Sequence, residues 1–191
     1  MTDRPKLPEP IRRSIAVPWN QQAAFERFTS DFGKWWPRYS HSIGGRRIKR
    51  LVFECRVGGL LYEEHYDGTR MLWGKVTAFD PPKRVAFTFH PSQQESDAQL
   101  IEVQFHPDGA GTRVELISSG WEKMGKRAQR AYGAYRLNWG AALDRFAGRF
   151  SGVVVLFSVM SAGIDLLGQR NSFIKNSHGR MPPAEEEGVK R

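Results

Sequence analysis

From residue 128 onward, apolar and aromatic residues recur at Ala128, Ala131, Tyr132, Tyr135, Trp139, Ala142, Leu143, Phe146 and Phe150. Gaps of three and four trace one face of a helix, so the spacing predicts a helix over 127–150. Arg130, Arg136, Asp144 and Arg145 fall on its other face, and no proline interrupts it. Upstream the period changes to two. Ile11, Arg13, Ile15 and Val17 alternate with Arg12, Ser14 and Ala16, which predicts a first strand. Asn20 then stands where an N-cap belongs, ahead of Ala23, Ala24, Phe25 and Phe28, so a short helix follows. Residues 34–37, Lys-Trp-Trp-Pro, read as an aromatic turn or a second short helix, because Pro37 biases Trp36 away from helical geometry.

The middle of the chain reads as strands joined by short turns. Runs at 51–57, 60–66, 71–79, 85–89, 100–105 and 112–117 are separated by Gly58-Gly59, Asp67-Gly68, Asp80-Pro81-Pro82 and Asp108-Gly109. The Asp-Gly pairs are hairpin signals, and a proline pair cannot continue a ladder. Such connections give an antiparallel sheet of six or seven strands. The fold class is therefore α+β: two short helices after the first strand, then the sheet, then a long amphipathic helix that buries its stripe across the sheet.

The 191 residues suffice for one domain without disulfide staples. Three segments are expected: a mobile lead-in over 1–10, rich in proline; the folded domain over 11–150; and an extension over 151–191. Within the extension, Val153–Gly168 is apolar nearly all round but contains Asp165, and its 16 residues fall short of the roughly 20 of a membrane span. With the Gly148/Gly152 pair, this stretch is read as a helix extension, a subunit interface or a frayed ending. The polar composition of 171–191 predicts disorder. Cys55 is the single cysteine, so no internal disulfide forms, and residues 1–10 lack the apolar run of a signal peptide. A cytoplasmic location is expected.

The net charge of +9 favours acidic partners in principle. The basic residues are dispersed, however, and Arg46, Arg47, Lys49 and Arg50 lack interleaved aromatics, so a solvated loop entering a strand is expected and no nucleic-acid role. The sequence contains no G-x-S-x-G elbow, P-loop, G-x-G-x-x-G or H-E-x-x-H. The histidines at 41, 65, 90, 106 and 178 are scattered, which argues against a metal site.

One group of runs is jointly distinctive: WWP (35–37), HSIGG (41–45), RVGGLLYEE (56–64), WGKVTAFDPPKRVAFTF (73–89), IEVQFHPDGAGTRVELISSGW (101–121) and YRLNWGAALDRF (135–146). Together they resemble the bacterial family related to the activator of the heat-shock-protein-90 ATPase, within the START, polyketide-cyclase and Bet v 1-like superfamily. The resemblance spans residues 11–150. It implies a helix-grip fold with a cavity between sheet and long helix, no cofactor and no shared catalytic set. Members with known roles mostly bind or carry apolar molecules.

The residues themselves fit a cavity of that kind. Trp35 and Trp36 are expected near its mouth, Phe53, Trp73 and Phe87 on the strands, and Tyr132, Tyr135 and Trp139 on the helix. Phe89 and Phe105 are further strand candidates, and for Phe87, Phe89 and Phe105 alternation alone also explains the rings as core, which is the favoured reading. Glu63 and Glu64 face opposite sides of a strand. By the family pattern Glu63 points inward, with Leu61 and His65, as a polar ligand anchor, an acid–base pair or a satisfied structural pair. Three functions stay open: non-catalytic binding of a small apolar or aromatic molecule; a chaperone-interacting activator of an ATPase; and a cyclase- or hydratase-type enzyme using Glu63 and His65. A homodimer is a further expected partner state.

Overall fold

The computed structural model describes residues 8–149 and the backbone of 180–181. The lead-in over 1–7 and most of the expected extension lie outside the described residues. The elements are β1 (Ile11–Val17), α1 (Gln21–Phe28), α2 (Phe32–Trp35), β2 (Ile48–Phe53), β3 (Leu60–His65), β4 (Arg70–Asp80), β5 (Arg84–Phe89), β6 (Gln99–Asp108), β7 (Gly111–Ser119), α3 (Ala128–Phe146) and a two-residue β8 (Arg180–Met181). The first seven strands form one curled antiparallel sheet in the order β1-β7-β6-β5-β4-β3-β2, and β8 pairs with the start of β4. Two helices after β1, seven strands and a closing long helix are the helix-grip arrangement.

Each element follows from local chemistry. The Asn20 side chain accepts the Ala23 N–H at 2.9 Å and so caps α1, satisfying a donor that the helix leaves open. On α3, Ala128, Ala131, Tyr135, Trp139, Ala142, Leu143 and Phe146 are buried, as the stripe required. The helix is shorter than the 127–150 reading. A 3-10 segment, Trp121–Arg127, kinked at Gly125, precedes it. Its end is set by Gly148, whose φ of 70° is a left-handed conformation that glycine adopts without a Cβ clash.

The second strand also differs from its reading. It is Ile48–Phe53, three residues earlier than 51–57. The Glu54 carboxylate accepts the Leu60 N–H at 3.0 Å, which holds 54–59 in a turn and leaves Val57 exposed. Lys49 and Arg50 of the basic cluster therefore sit on β2, where both pair with Glu64 of β3. The core between sheet and helices is mostly aromatic. Phe25 of α1 meets Phe79 and Phe105 edge-on at 5.3 Å, and Phe28 meets Phe146 of α3 at 5.5 Å. Edge-on packing sets the positive rim of one ring against the negative face of the next.

Candidate functional site

Two rings organise the interior. Trp36 follows α2, and its ring lies 5.5 Å from Trp73 of β4 and 5.7 Å from Trp139 of α3. Phe89, at the end of β5, lies 5.3 Å from Trp139, 6.0 Å from Trp73 and 6.5 Å from Tyr135. Trp36, Trp73, Tyr135 and Trp139 are thus brought together. Phe53 and Phe87 stack edge-on at 5.4 Å one step further along the sheet. Trp35 turns the other way, against Phe28 and Phe146, and is buried beside α1 instead of standing at a mouth. Tyr132 is only half-buried and packs on Trp121.

The polar atoms of these rings differ in how they are satisfied. Trp35, Trp36 and Trp121 donate their indole N–H to the carbonyls of Phe28, His41 and Ser118. Trp73 and Trp139, exposed by only 0% and 2%, have no hydrogen-bond partner for theirs among the described residues. The His41 Nε2, the Ser42 hydroxyl and the Gln93 amide oxygen are in the same position. A stranded buried polar group costs about 1–3 kcal/mol, so several together call for water or another molecule beside them. Gln93 donates to the Tyr135 hydroxyl at 2.9 Å. Burial pushes that phenol well above its usual range, so it stays neutral. Burial also lowers His41 and His90, which favours neutral imidazoles.

A loop over 36–45 closes one end. It is tied down by Trp36 on the His41 carbonyl and by the Ile43 N–H on the Glu63 carboxylate at 3.1 Å. Glu63 faces inward from β3 with Leu61 and His65, and its second oxygen lies 2.6 Å from His65 Nε2. Gly44 rests so closely on the imidazole that a Cβ there would strike it. Outside the loop, a half-open surface pocket of about 340 Å³ is lined by Gly33, Lys34, Trp36, Tyr39, Ser40 and Arg145, among others. Trp36 belongs to both this pocket and the interior cluster.

His41, Ser42 and Gln93 join the site without having been singled out as site residues from the sequence, and Phe89, a strand candidate read more readily as core, stands at its centre. His41 and Ser42 lie within the HSIGG run, which was the available signal. Among the described residues, no group of three or more His, Cys, Asp or Glu side chains could hold a metal ion. None of the described helices is long and apolar enough to cross a membrane.

A curled antiparallel sheet gripping one long helix over an aromatic interior defines the helix-grip class of domain. The chain belongs to the family described as Activator of Hsp90 ATPase homolog 1-like protein, which it matches over residues 21–151. Among solved structures it is similar to the anthrahydroquino-gamma-pyrone synthase Txn09, with 34% identity, 76% of this chain and 99% of that chain covered, and a TM-score of 0.51. It is also similar to the Aha1 dimer from Colwellia psychrerythraea (18% identity, 74% and 98% covered, TM-score 0.50). A third is protein MLL2253 from Mesorhizobium loti (16% identity, 74% and 96% covered, TM-score 0.53). The last two likenesses are of fold alone. No match was found among curated proteins.

Proposed function

We propose that this protein binds a small aromatic molecule between the sheet and α3. The observation that carries this reading is the convergence of rings from α3, β4, β5 and the α2 end around Trp36 and Phe89, next to a pocket of about 340 Å³. Small-molecule pockets begin at roughly 300 Å³ and are lined mainly by apolar and aromatic groups; the surface pocket meets the size with a mixed lining that includes Lys34, Arg38 and Arg145, and the aromatic lining is that of the ring cluster behind Trp36. The test is titration of the purified protein with a panel of aromatic molecules, read by tryptophan fluorescence and calorimetry. One saturable site is expected. Absence of saturable binding across the panel refutes the reading and promotes a protein partner, with chaperone pull-down as the follow-up.

A second reading, catalysis on the bound molecule, is favoured by the likeness to a synthase over nearly all of that protein's length. Glu63 and His65 are the residues for it, as a buried pair able to take and return a proton. Turnover lost in Glu63→Gln, with the melting temperature retained, supports this reading. Ligand binding without any turnover in the wild type leaves the first alone. The Colwellia relative is a dimer; a homodimer here is a proposal that sedimentation of the full chain tests.

A further inference from the structure

The surface pocket of about 340 Å³ has an uneven lining. Among its described residues Lys34, Arg38 and Arg145 are cations, and none carries a carboxylate. They come from separate parts of the chain: Lys34 from α2, Arg38 from the loop after it and Arg145 from the last turn of α3. Local sequence does not bring them together; the fold does. A net charge of +9 puts cations on many faces of this protein. A concave site that collects three of them without an acid is a different arrangement. Protein walls around like charges focus their field and draw in an ion of opposite sign.

The three charges are not equally available. Lys34 lies 2.7 Å from the Asp31 carboxylate, which answers most of its charge. Arg38 instead lies over the Tyr39 ring at 4.9 Å and donates to the Tyr39 hydroxyl at 2.9 Å. Both partners are neutral, so the guanidinium is held in place and keeps its charge. Its remaining N–H donors form a planar fork of the kind that carboxylates and phosphates accept. Trp36, Pro37 and Tyr39 add apolar and aromatic surface to the same pocket. A neutral hydrocarbon would leave the cations unanswered, and a bare inorganic anion would leave the rings unused.

We propose that this surface pocket binds a small organic anion: a carboxylate or phosphate, held by Arg38 and Arg145, on an aromatic body that lies against Trp36, Pro37 and Tyr39. The proposal concerns the pocket outside Trp36 and does not depend on an aromatic molecule entering the interior. The experiment titrates the full chain by calorimetry with phenyl phosphate, benzoate, benzamide and inorganic phosphate. Phenyl phosphate and benzoate should each saturate one site, and the tighter of the two names the headgroup. Benzamide matches benzoate in shape without the charge and should bind about tenfold more weakly, as one hydrogen bond to a charged group provides. Inorganic phosphate should trail phenyl phosphate. Arg38→Gln and Arg145→Gln should each weaken both aromatic anions by about tenfold and leave benzamide as in the wild type. Lys123→Gln removes an exposed cation outside the pocket and should change nothing.

Equal binding of benzoate and benzamide overturns the proposal, as does anion binding unchanged in both arginine variants. Inorganic phosphate that binds as tightly as phenyl phosphate removes the aromatic body and overturns it too. If the small anions fail to saturate while polyglutamate binds through the same two arginines, the pocket serves an acidic protein surface and the small-molecule assignment falls. A neutral aromatic that binds where the anions do not overturns this proposal alone and leaves the reading of the interior standing. Should Arg145→Gln lose its fold, Arg38→Gln in the loop decides the outcome.

Discussion

Glu63 and His65, two residues apart on β3, face the same side of the sheet with Oε1 and Nε2 2.6 Å apart and both side chains buried. The carboxylate also receives the Ile43 N–H, so it fastens the 36–45 loop to the sheet. Replacing it with an isosteric apolar side chain strands an imidazole nitrogen and a backbone N–H at once. Each such group costs about 1–3 kcal/mol. Glu63→Leu should therefore lower the unfolding free energy measured in urea by several times the loss seen in Glu63→Gln, which keeps an acceptor oxygen. Equal stability of Glu63→Leu and wild type would rule out the fastening role.

The two desolvated histidines make stability fall on mild acidification. Burial lowers His41 and His90 below the ordinary value of 6.5. Below pH 6.5 the unfolded chain takes up protons at both positions, and the folded chain does not until a lower pH. The unfolded state then binds more protons, so stability is complete above 6.5 and declines as pH falls through that window. The combined His41→Gln and His90→Gln variant should flatten the melting temperature between pH 7 and roughly pH 5. Glu64 and Glu102 act in a separate range. Hydrogen bonds from Arg50 and from Arg84 hold their pKa values below the ordinary 4.5, so their contribution is present above 4.5 and is lost only as pH falls further. A pH profile unchanged in the double variant would remove the histidines from this account.

Gly74 follows Trp73 on β4 where the neighbouring strand comes very close. A Cβ at this position would fall on the carbonyl oxygen of Thr88. That obstacle is backbone, so it cannot turn aside as a side chain would. Gly74→Ala should cost about 1–3 kcal/mol or more, as overpacking does, and should shift the indole of Trp73. A variant melting with the wild type would mean that β4 and β5 separate without penalty at this point.

These positions differ in how far the sequence disclosed them. The α3 stripe was legible because a period near 3.6 survives in any helix that lies on a sheet, and Tyr135 and Trp139 fall on it. Alternation put Glu63 on one face with Leu61 and His65 and Glu64 on the other, and the family resemblance said which of the two faces turns inward. Glu64, on the outer side, is also buried, since Lys49, Arg50 and Arg70 gather over it across three strands. Pairing across strands sets that, and no local pattern reports it. The 51–57 reading followed apolar content, whereas the Glu54 side chain bonding to Leu60 decides where β2 stops. Period two places Phe89 inside without saying which other rings it meets. Its central place comes from the curl of the sheet and from the loop that sets Trp36 beside it.

Trp139 tests whether the central helix contributes a platform or only bulk. Its ring touches Trp36 and Phe89 and is 2% exposed. Trp139→Ala should lower stability by about 3–5 kcal/mol, in the range of large core truncations. If the ring is a ligand platform, affinity for an aromatic probe among molecules still folded should fall as well. If affinity holds or rises while stability drops, the ring is core and the vacated volume takes the probe.

Trp36 should control the rate at which a ligand enters. It sits just past α2, a helix of four residues, and its ring separates the surface pocket of about 340 Å³ from Trp73 and Trp139. Its place is held by side-chain contacts alone: the hydrogen bond to the His41 carbonyl at 3.1 Å, a stack on Phe32 at 5.0 Å and ring contacts to Trp35, Trp73, Phe89 and Trp139. The sheet residues on the far side are fixed by ladders, so this is the wall that yields at least cost. If the ring must swing aside before a probe can enter, wild-type association is limited by that motion, and the observed rate levels off at high probe concentration. Trp36→Ala removes the wall. Stopped-flow fluorescence with anthraquinone should then show a faster association that rises linearly with concentration. A plateau that persists in Trp36→Ala would place the barrier elsewhere, with the Ile43–Glu63 fastening of the same loop as the next element to release.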